Sequence, residues 1–202
     1  MASPINKMTK MTENILNTAL MLPCGVTLKN RLVKSAMTER ISNKKFEPVK
    51  DHEHLYNEWS KTGAGLLITG NVIIDRKHVE SAGNVCFDED QMVAKSEAWA
   101  EAGKKDNTHI WVQVSHAGRQ TNKFNNSSPL APSAIHLKKI GLFGKPRAMT
   151  EADILQIING FVKAASIAKE AGFTGIQIHS AHGYLLSQFL SPVTNRRKDQ
   201  WG

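Results

Sequence analysis

Runs of β-favouring residues alternate with helical stretches along this chain, and that alternation constrains the fold more than any other feature. The strands are predicted over residues 31–36, 64–74, 108–115 and 173–179, and the main helices over 52–61, 88–105 and 150–171. The strand candidates are apolar and β-branched, and the helical stretches carry apolar residues at helical spacing. Strand–helix repetition builds a parallel sheet with crossover helices, so the sequence predicts an α/β fold.

The composition is that of a folded domain and excludes several classes of protein. Of 202 residues, 41% are hydrophobic, and 26 basic against 18 acidic residues give a formal net charge of +8. No stretch approaches the ~18 apolar residues of a spanning helix, so we expect no membrane partner. The lysines are scattered without interleaved aromatic residues, so we expect no nucleic-acid partner. Cys24 and Cys86 indicate neither a disulfide framework nor a zinc module.

The N-terminal residues lack the apolar segment of a secretory signal. We expect residues 1–18 to be an N-terminal extension and residues 19–202 to form one domain of a cytoplasmic protein. A mitochondrial import signal is the weaker alternative, because the arginines usual in such a signal are missing from this stretch.

Two folds fit the alternation, a doubly wound sheet and a TIM barrel. A dinucleotide-binding doubly wound sheet would need G-x-G-x-x-G after its first strand, and the sequence has no such turn there. Gln113 and Ser115 share one face of the third strand, and Gln177 and His179 share one face of the fourth. Barrel enzymes place their chemistry at the carboxyl ends of the strands, so these polar faces favour a (β/α)8 TIM barrel.

Strand counting limits how much of a barrel the chain can form. An eightfold barrel takes about 250 residues, and this sequence offers four internal strands. We therefore expect the first four strand–helix units, a half barrel that represents a fragment or truncated form of a longer enzyme.

His179 and His182 are the most informative pair of candidate functional residues in the sequence, because they lie three residues apart where the fourth strand ends and a helix begins. The commonest role for such histidines is structural. A metal site would want a third ligand, and no H-E-x-x-H or carboxylate cluster accompanies them. In the third interpretation the pair polarises a substrate oxygen, with Tyr184 as a proton donor. Spacing alone places the structural role first and predicts no metal.

Four segments of the sequence are distinctive, namely LPCGVTLKNRLVKSAMTE, GAGLLITGNV, WVQVSHAGRQ and IQIHSAHGYLLSQFLSPVTNRRKDQWG. In this order they resemble the Old Yellow Enzyme family of FMN-dependent NADH:flavin oxidoreductases and ene-reductases. The resemblance runs from about Leu22 to Gly202. It implies an FMN-binding TIM barrel of which this chain supplies the N-terminal half.

The resemblance also implies roles for individual residues. FMN would take hydride from NADH or NADPH and reduce a small molecule with an activated double bond, in a ping-pong reaction. His179 and His182 would hold the oxygen of that substrate, and Tyr184 would give a proton to its α-carbon. Thr38 would lie near a flavin ring carbonyl, and Asn71 departs from the small residue that many relatives have. The implied cofactor-binding residues are Ala36, Met37, Thr38, Asn71 and Gln113.

Three function hypotheses follow from the sequence. The first is an FMN oxidoreductase whose 202 residues alone bind FMN weakly or not at all. The second is a catalytically inactive half barrel that acts as an interaction protein, paired with a second copy or completed by a partner chain. The third is a metal-dependent enzyme built on His179 and His182. For His116 and Arg119, ordering of a loop and contact with the substrate or cofactor are equally open.

Overall fold

The computed structural model describes residues 15–139 and 141–202. Most of the predicted N-terminal extension, residues 1–14, lies outside the described residues. An antiparallel hairpin of β1 (Leu20–Met21) and β2 (Thr27–Leu28) comes first. Gly25 occupies its turn with a φ of 87°, a left-handed conformation that glycine adopts without a Cβ penalty. None of the helices within residues 15–139 and 141–202 combines the length and the hydrophobicity of a membrane span.

A four-stranded parallel sheet forms the centre of the molecule. Its strands are β3 (Val33–Lys34), β4 (Leu66–Ile73), β5 (His109–Ser115) and β8 (Gly175–Ile178), and they lie side by side in that order. All three pairings are parallel. The four strands that the sequence predicts are present, although the first is only two residues long where six were expected.

Helices cover one face of the sheet. They are α1 (Lys50–Ser60), α2 (Met92–Gly103), α3 (Glu151–Glu170) and the short α4 (Leu185–Phe189). The main core lies between this layer and the outward side chains of β5, namely Ile110, Val112 and Val114. The alternation predicted for β5 therefore holds.

The opposite face of the sheet is covered at its amino end by the β1–β2 hairpin. Leu28 packs with Leu66 and Ile68 in a second apolar cluster, which Ala36 and Trp111 flank. Gly175 pairs with Trp111 in the register, and a Cβ at Gly175 would overlap the Trp111 indole. This apolar packing leaves the carboxyl ends of the strands for polar residues.

The stretch between β5 and α3 is less irregular than its composition predicts. The sequence indicates one long irregular insertion over residues 127–146. In the structure, β6 (Leu130–Ala131) pairs in parallel with β7 (Arg147–Ala148), so the ends of the insertion are joined. A short 3₁₀ helix at Gly118–Gln120 also lies in this stretch, and another lies before β5 at Lys105–Asn107.

Helix α3 begins and ends with the residues that the sequence predicts. Thr150 accepts a hydrogen bond from the Asp153 backbone N–H, and the Asp153 carboxylate accepts one from the Thr150 N–H at 2.8 Å. Gly172, with a φ of 88°, follows the helix, and Phe173 N–H donates to the Ala168 carbonyl at 3.0 Å. Arg147 adds two further hydrogen bonds to the Asp153 carboxylate, at 2.7 and 2.8 Å.

We expect Asp153→Ala to lower the free energy of unfolding by about 1 kcal/mol at neutral pH, because it removes the carboxylate that accepts from the Thr150 N–H and from Arg147, while the Thr150 hydroxyl keeps its bond to the backbone N–H of residue 153. The hydrogen bonds from Arg147 lower the pKa of Asp153. A lowered native pKa stabilises the fold above the unfolded pKa of about 4, and this stabilisation is lost as the pH falls further. The difference between wild type and variant in chemical denaturation should therefore shrink in acid. Glu170→Ala, which removes an exposed carboxylate at the other end of α3, is the control, and a difference independent of pH would contradict the expectation.

Candidate functional site

A β-bulge in β4 determines which side chains face the site. The pairing with β5 runs in step from Leu66 to Ile68 and resumes at Asn71 opposite Gln113. The extra residue reverses the alternation of β4, so Asn71 rather than Gly70 is level with Gln113. Thr69 fills the gap in the ladder, because its hydroxyl accepts the Gln113 backbone N–H at 3.0 Å and donates to the Gly70 carbonyl at 2.8 Å.

Amide side chains from three neighbouring strands form a row beyond this bulge. Asn71 on β4 pairs with Gln113 on β5, and Gln113 pairs with Gln177 on β8. The Gln113 Nε2 atom donates to Gln177 Oε1 at 2.8 Å, and Thr38 Oγ1 donates to Asn71 Oδ1 at 2.6 Å. The structure thus brings Thr38, Asn71 and Gln113 to one level of the sheet. It adds Gln177, which the sequence analysis placed on the polar face of the fourth strand but did not count among the cofactor-binding residues.

The segment after β3 lies directly against the bulge. Glu39 Oε1 accepts hydrogen bonds from the Gly70 backbone N–H at 2.9 Å and from the Tyr56 hydroxyl. Gly70 makes this approach possible, since a Cβ there would overlap the Glu39 carboxylate and the Met37 carbonyl. Met37 is 52% exposed, whereas Ala36 packs against the second apolar cluster. Of the predicted cofactor residues, Ala36 therefore contributes packing in this structure.

His179, His182 and Tyr184 form an aromatic cluster where β8 ends. The ring centroid of His179 lies 5.2 Å from that of His182 and 4.9 Å from that of Tyr184. In both pairs the rings meet edge to face. His179 follows Gln177 by two residues, so it lies on the same face of the sheet as the amide row. His179 is 7% exposed and His182 is exposed. The structure therefore brings the three predicted catalytic residues together.

Hydrogen bonding and burial determine the protonation of this cluster. His179 Nδ1 accepts the Ala181 backbone N–H at 3.2 Å, so the neutral ring carries its proton on Nε2 and can donate from there. Burial, and secondarily the neighbouring His182, lowers the pKa of His179. Burial raises the pKa of Tyr184, and the Glu80 carboxylate adds to this. At neutral pH the cluster thus offers a neutral imidazole donor and a protonated phenol.

Two glutamines that sequence reasoning missed hold the turn that carries His182. Gln120 Nε2 donates to the His182 carbonyl at 2.7 Å, and Gln188 Nε2 donates to the Gly183 carbonyl at 2.7 Å. Gln188 is buried and its Oε1 accepts the Arg119 backbone N–H at 3.2 Å. The presence of a polar residue within the apolar stretch of α4 was the available signal.

A different group of side chains has metal-ligand spacing in the described part of the chain. Ligand atoms of Asp75, His78 and His116 lie within 4.8 Å of one another. His78 Nε2 accepts the Leu130 backbone N–H at 3.0 Å, so its proton is on Nδ1, 2.6 Å from the Asp75 carboxylate. A cation bound to Nδ1 would force this proton onto Nε2. There it would face the Leu130 backbone N–H, which is also a donor, and the hydrogen bond between them would be lost. The hydrogen bonds therefore favour a network that anchors the Leu130 segment.

His116 and Arg119 are also placed against neighbouring loops. The His116 ring is stacked on His78 with centroids 4.4 Å apart, and its Nδ1 accepts the Gly118 N–H at 3.0 Å. Arg119 Nη1 donates to the Ile135 carbonyl at 3.3 Å. These contacts support the loop-ordering interpretation of both residues.

We expect the imidazole of His179 to titrate below the ordinary midpoint of about 6.5, because burial disfavours its charged form. In His182→Asn the midpoint should rise but stay below that value, since the neighbouring charge is removed while the burial persists. An NMR pH titration that follows the carbon-bound protons of the His179 ring measures its midpoint in the wild type and in the variant. A midpoint unaffected by His182→Asn would show that the two rings are not coupled.

Comparison with known proteins identifies relatives of this site and fold. A sequence profile of the NADH:flavin oxidoreductase / NADH oxidase family matches residues 23–202. The chain is 37% identical over 212 residues to the NADH-dependent flavin oxidoreductase iliE of Hypocrea jecorina, covering 95% of this chain and 53% of the relative. It is 35% identical over 179 residues to an NADPH dehydrogenase of a Geobacillus species, covering 88% and 52%.

Solved structures give the same assignment. Morphinone reductase superimposes with a TM-score of 0.83 at 28% identity, covering 93% of this chain and 53% of that one. The Old Yellow Enzyme homologue of Zymomonas mobilis also has a TM-score of 0.83, at 26% identity, with 93% and 54% covered. The chain spans about half the length of these relatives. The resemblance seen in the sequence is confirmed: this chain belongs to the NADH:flavin oxidoreductase / NADH oxidase family.

Proposed function

We propose that the chain contributes the flavin-facing part of an NAD(P)H-dependent FMN oxidoreductase that reduces activated C=C bonds. The observation that carries this proposal is the amide row of Asn71, Gln113 and Gln177 on one face of the sheet, with His179 beyond it. A flat ring lying on that row would have the imidazole cluster beside it. Family membership and the names of the relatives add support.

We further propose that the sheet is the first half of an eightfold barrel. Its four parallel strands are neighbours in the order in which they follow one another along the chain. A doubly wound sheet reverses its strand order at the ligand site, whereas a barrel continues in one direction. The relatives are about twice as long as this chain, which agrees with four further units in them.

The chemistry of the amide row fits FMN. The pyrimidine edge of the flavin ring offers carbonyl acceptors and an N–H donor, and primary amides can pair with both. When bound, FMN would supply a two-electron carrier between nicotinamide and substrate. Gln113 and Gln177 would bind its polar edge, and the Met37–Glu39 segment, held on Gly70, would lie along its side.

The aromatic cluster would bind and orient the substrate. The Nε2–H of neutral His179 would donate to the carbonyl or nitro oxygen of an activated alkene, and His182 would add a second donor. Fixed donors lower the barrier because negative charge develops on this oxygen during reduction. Tyr184, whose raised pKa keeps it protonated, would give its proton to the α-carbon.

Titration of the chain with FMN tests the proposal. We expect weak but saturable quenching of FMN fluorescence, and at least about tenfold weaker binding in Gln113→Ala, because a hydrogen-bonding partner of the ring is lost. Gln156→Ala, at an exposed position of α3, is the matched control and should bind like wild type. Absence of saturable binding, or equal affinity in the two variants, would reject the proposal.

An apolar surface supports a second candidate, a half barrel that pairs with another chain. Leu155, Ile158 and Val162 on α3 follow one another at helical spacing and are 50%, 42% and 60% exposed. Ile178, on the outer strand β8, is 53% exposed. A stripe of this kind beside an open sheet edge is a typical protein–protein contact surface.

Sedimentation velocity separates the second candidate from a monomer. If the stripe pairs two copies, the wild-type chain should sediment as a concentration-dependent dimer. Val162→Glu should shift it towards monomer, because a buried unpaired charge opposes association. Ala98→Glu adds the same charge at an exposed position of α2 and should leave the dimer intact. A wild-type chain that stays monomeric at high concentration would reject the homodimer.

A further inference from the structure

A buried asparagine outside the sheet determines the orientation of the Asn71 amide. Asn84 is 2% exposed and its Oδ1 accepts the Ser81 backbone N–H at 2.9 Å. Its Nδ2 donates to the Asn71 backbone carbonyl and to Asn71 Oδ1, each at 3.3 Å. A backbone N–H only donates and a backbone carbonyl only accepts, so the two ends of the Asn84 amide cannot be exchanged.

The fixed amide of Asn84 fixes the next two groups in turn. Asn71 must present Oδ1 to the Asn84 donor, and the same Oδ1 lies 2.6 Å from Thr38 Oγ1. An amide oxygen has no proton, so the Thr38 hydroxyl donates its only one to Asn71. Within the described residues, Asn71 Nδ2 makes no hydrogen bond, which leaves its two N–H groups for a ligand.

We propose that Asn71, and not Thr38, is the residue whose side chain donates a hydrogen bond to the flavin at this edge of the site, and that Asn84 acts as its positioning residue. This inference rests on the proposed function, because it assumes that the ring lies on the amide row. Thr38 then acts on the ring only through Asn71. A donor at a ring carbonyl also favours the reduced flavin, because reduction places negative charge there.

NMR titration of the ¹⁵N-labelled chain with FMN tests the inference, since it reports weak binding. The side-chain NH₂ signals of Asn71, identified by their loss in Asn71→Leu, should shift on addition of FMN. Asn71→Leu should weaken FMN binding about tenfold, whereas Thr38→Val should change it less than about twofold. Backbone signals of β5 and β8 show whether each variant is folded.

Asn84→Asp provides the sharper comparison, because it keeps the acceptor for Ser81 and replaces the donor by a carboxylate oxygen. Repulsion should turn the Asn71 amide round, which points its Nδ2 at Asp and frees the Thr38 hydroxyl for the ligand. In this background we expect Thr38→Val to weaken FMN binding several-fold, although it has little effect in wild type. Coupling of this kind is what a double-mutant cycle measures.

Three outcomes would overturn the inference. Equal effects of Thr38→Val in the two backgrounds would show that Asn84 does not direct the donor. Shifts of the Gln113 side chain without any at Asn71 would overturn the inference while leaving the proposed function intact. FMN that shifts neither residue would reject the proposed function and the inference together.

Discussion

The bulge at Thr69–Gly70 is the constraint on which the site depends. A regular β4 would place Gly70 opposite Gln113 and turn Asn71 towards the helices. The inserted residue interrupts the ladder hydrogen bonds, and two backbone N–H groups at the interruption have side-chain partners instead. The Thr69 hydroxyl binds the Gln113 N–H, and the Gly70 N–H donates to Glu39. These two bonds stabilise the irregularity, because an unpaired buried N–H would cost about 1–3 kcal/mol.

The bond from Gly70 connects the site to the helical layer through a partly buried chain of polar groups. The Tyr56 hydroxyl of α1 donates to the same Glu39 oxygen. Lys34 Nζ lies 3.9 Å above the Trp59 ring and donates to the Ile68 carbonyl at 2.8 Å. Burial lowers the pKa of Lys34 to about 8, although Glu39 opposes this. The segment that would contact FMN is therefore held by groups from β3, β4 and α1 at once.

The sequence predicted what depends on local patterns. Runs of apolar and β-branched residues predicted the four strands, and Thr150 and Gly172 predicted the ends of α3, because caps and left-handed turns are encoded by single residue types. The bulge was not predictable, since a run as apolar as β4 has no polar alternation whose reversal could be seen. The contribution of Asn84 was also out of reach, because it depends on a long-range contact from a loop.

The turn at His182 shows how this architecture sustains local strain. His182 has a φ of 57°, in a region that non-glycine residues enter at a cost of about 1–3 kcal/mol. The hydrogen bonds from Gln120 and Gln188 to successive carbonyls offset that cost, at about 1 kcal/mol each. Both glutamines belong to elements outside the turn, one after β5 and one in α4. The backbone of this turn is therefore held by tertiary contacts, and none of these bonds uses the His182 ring, which packs edge-on against His179.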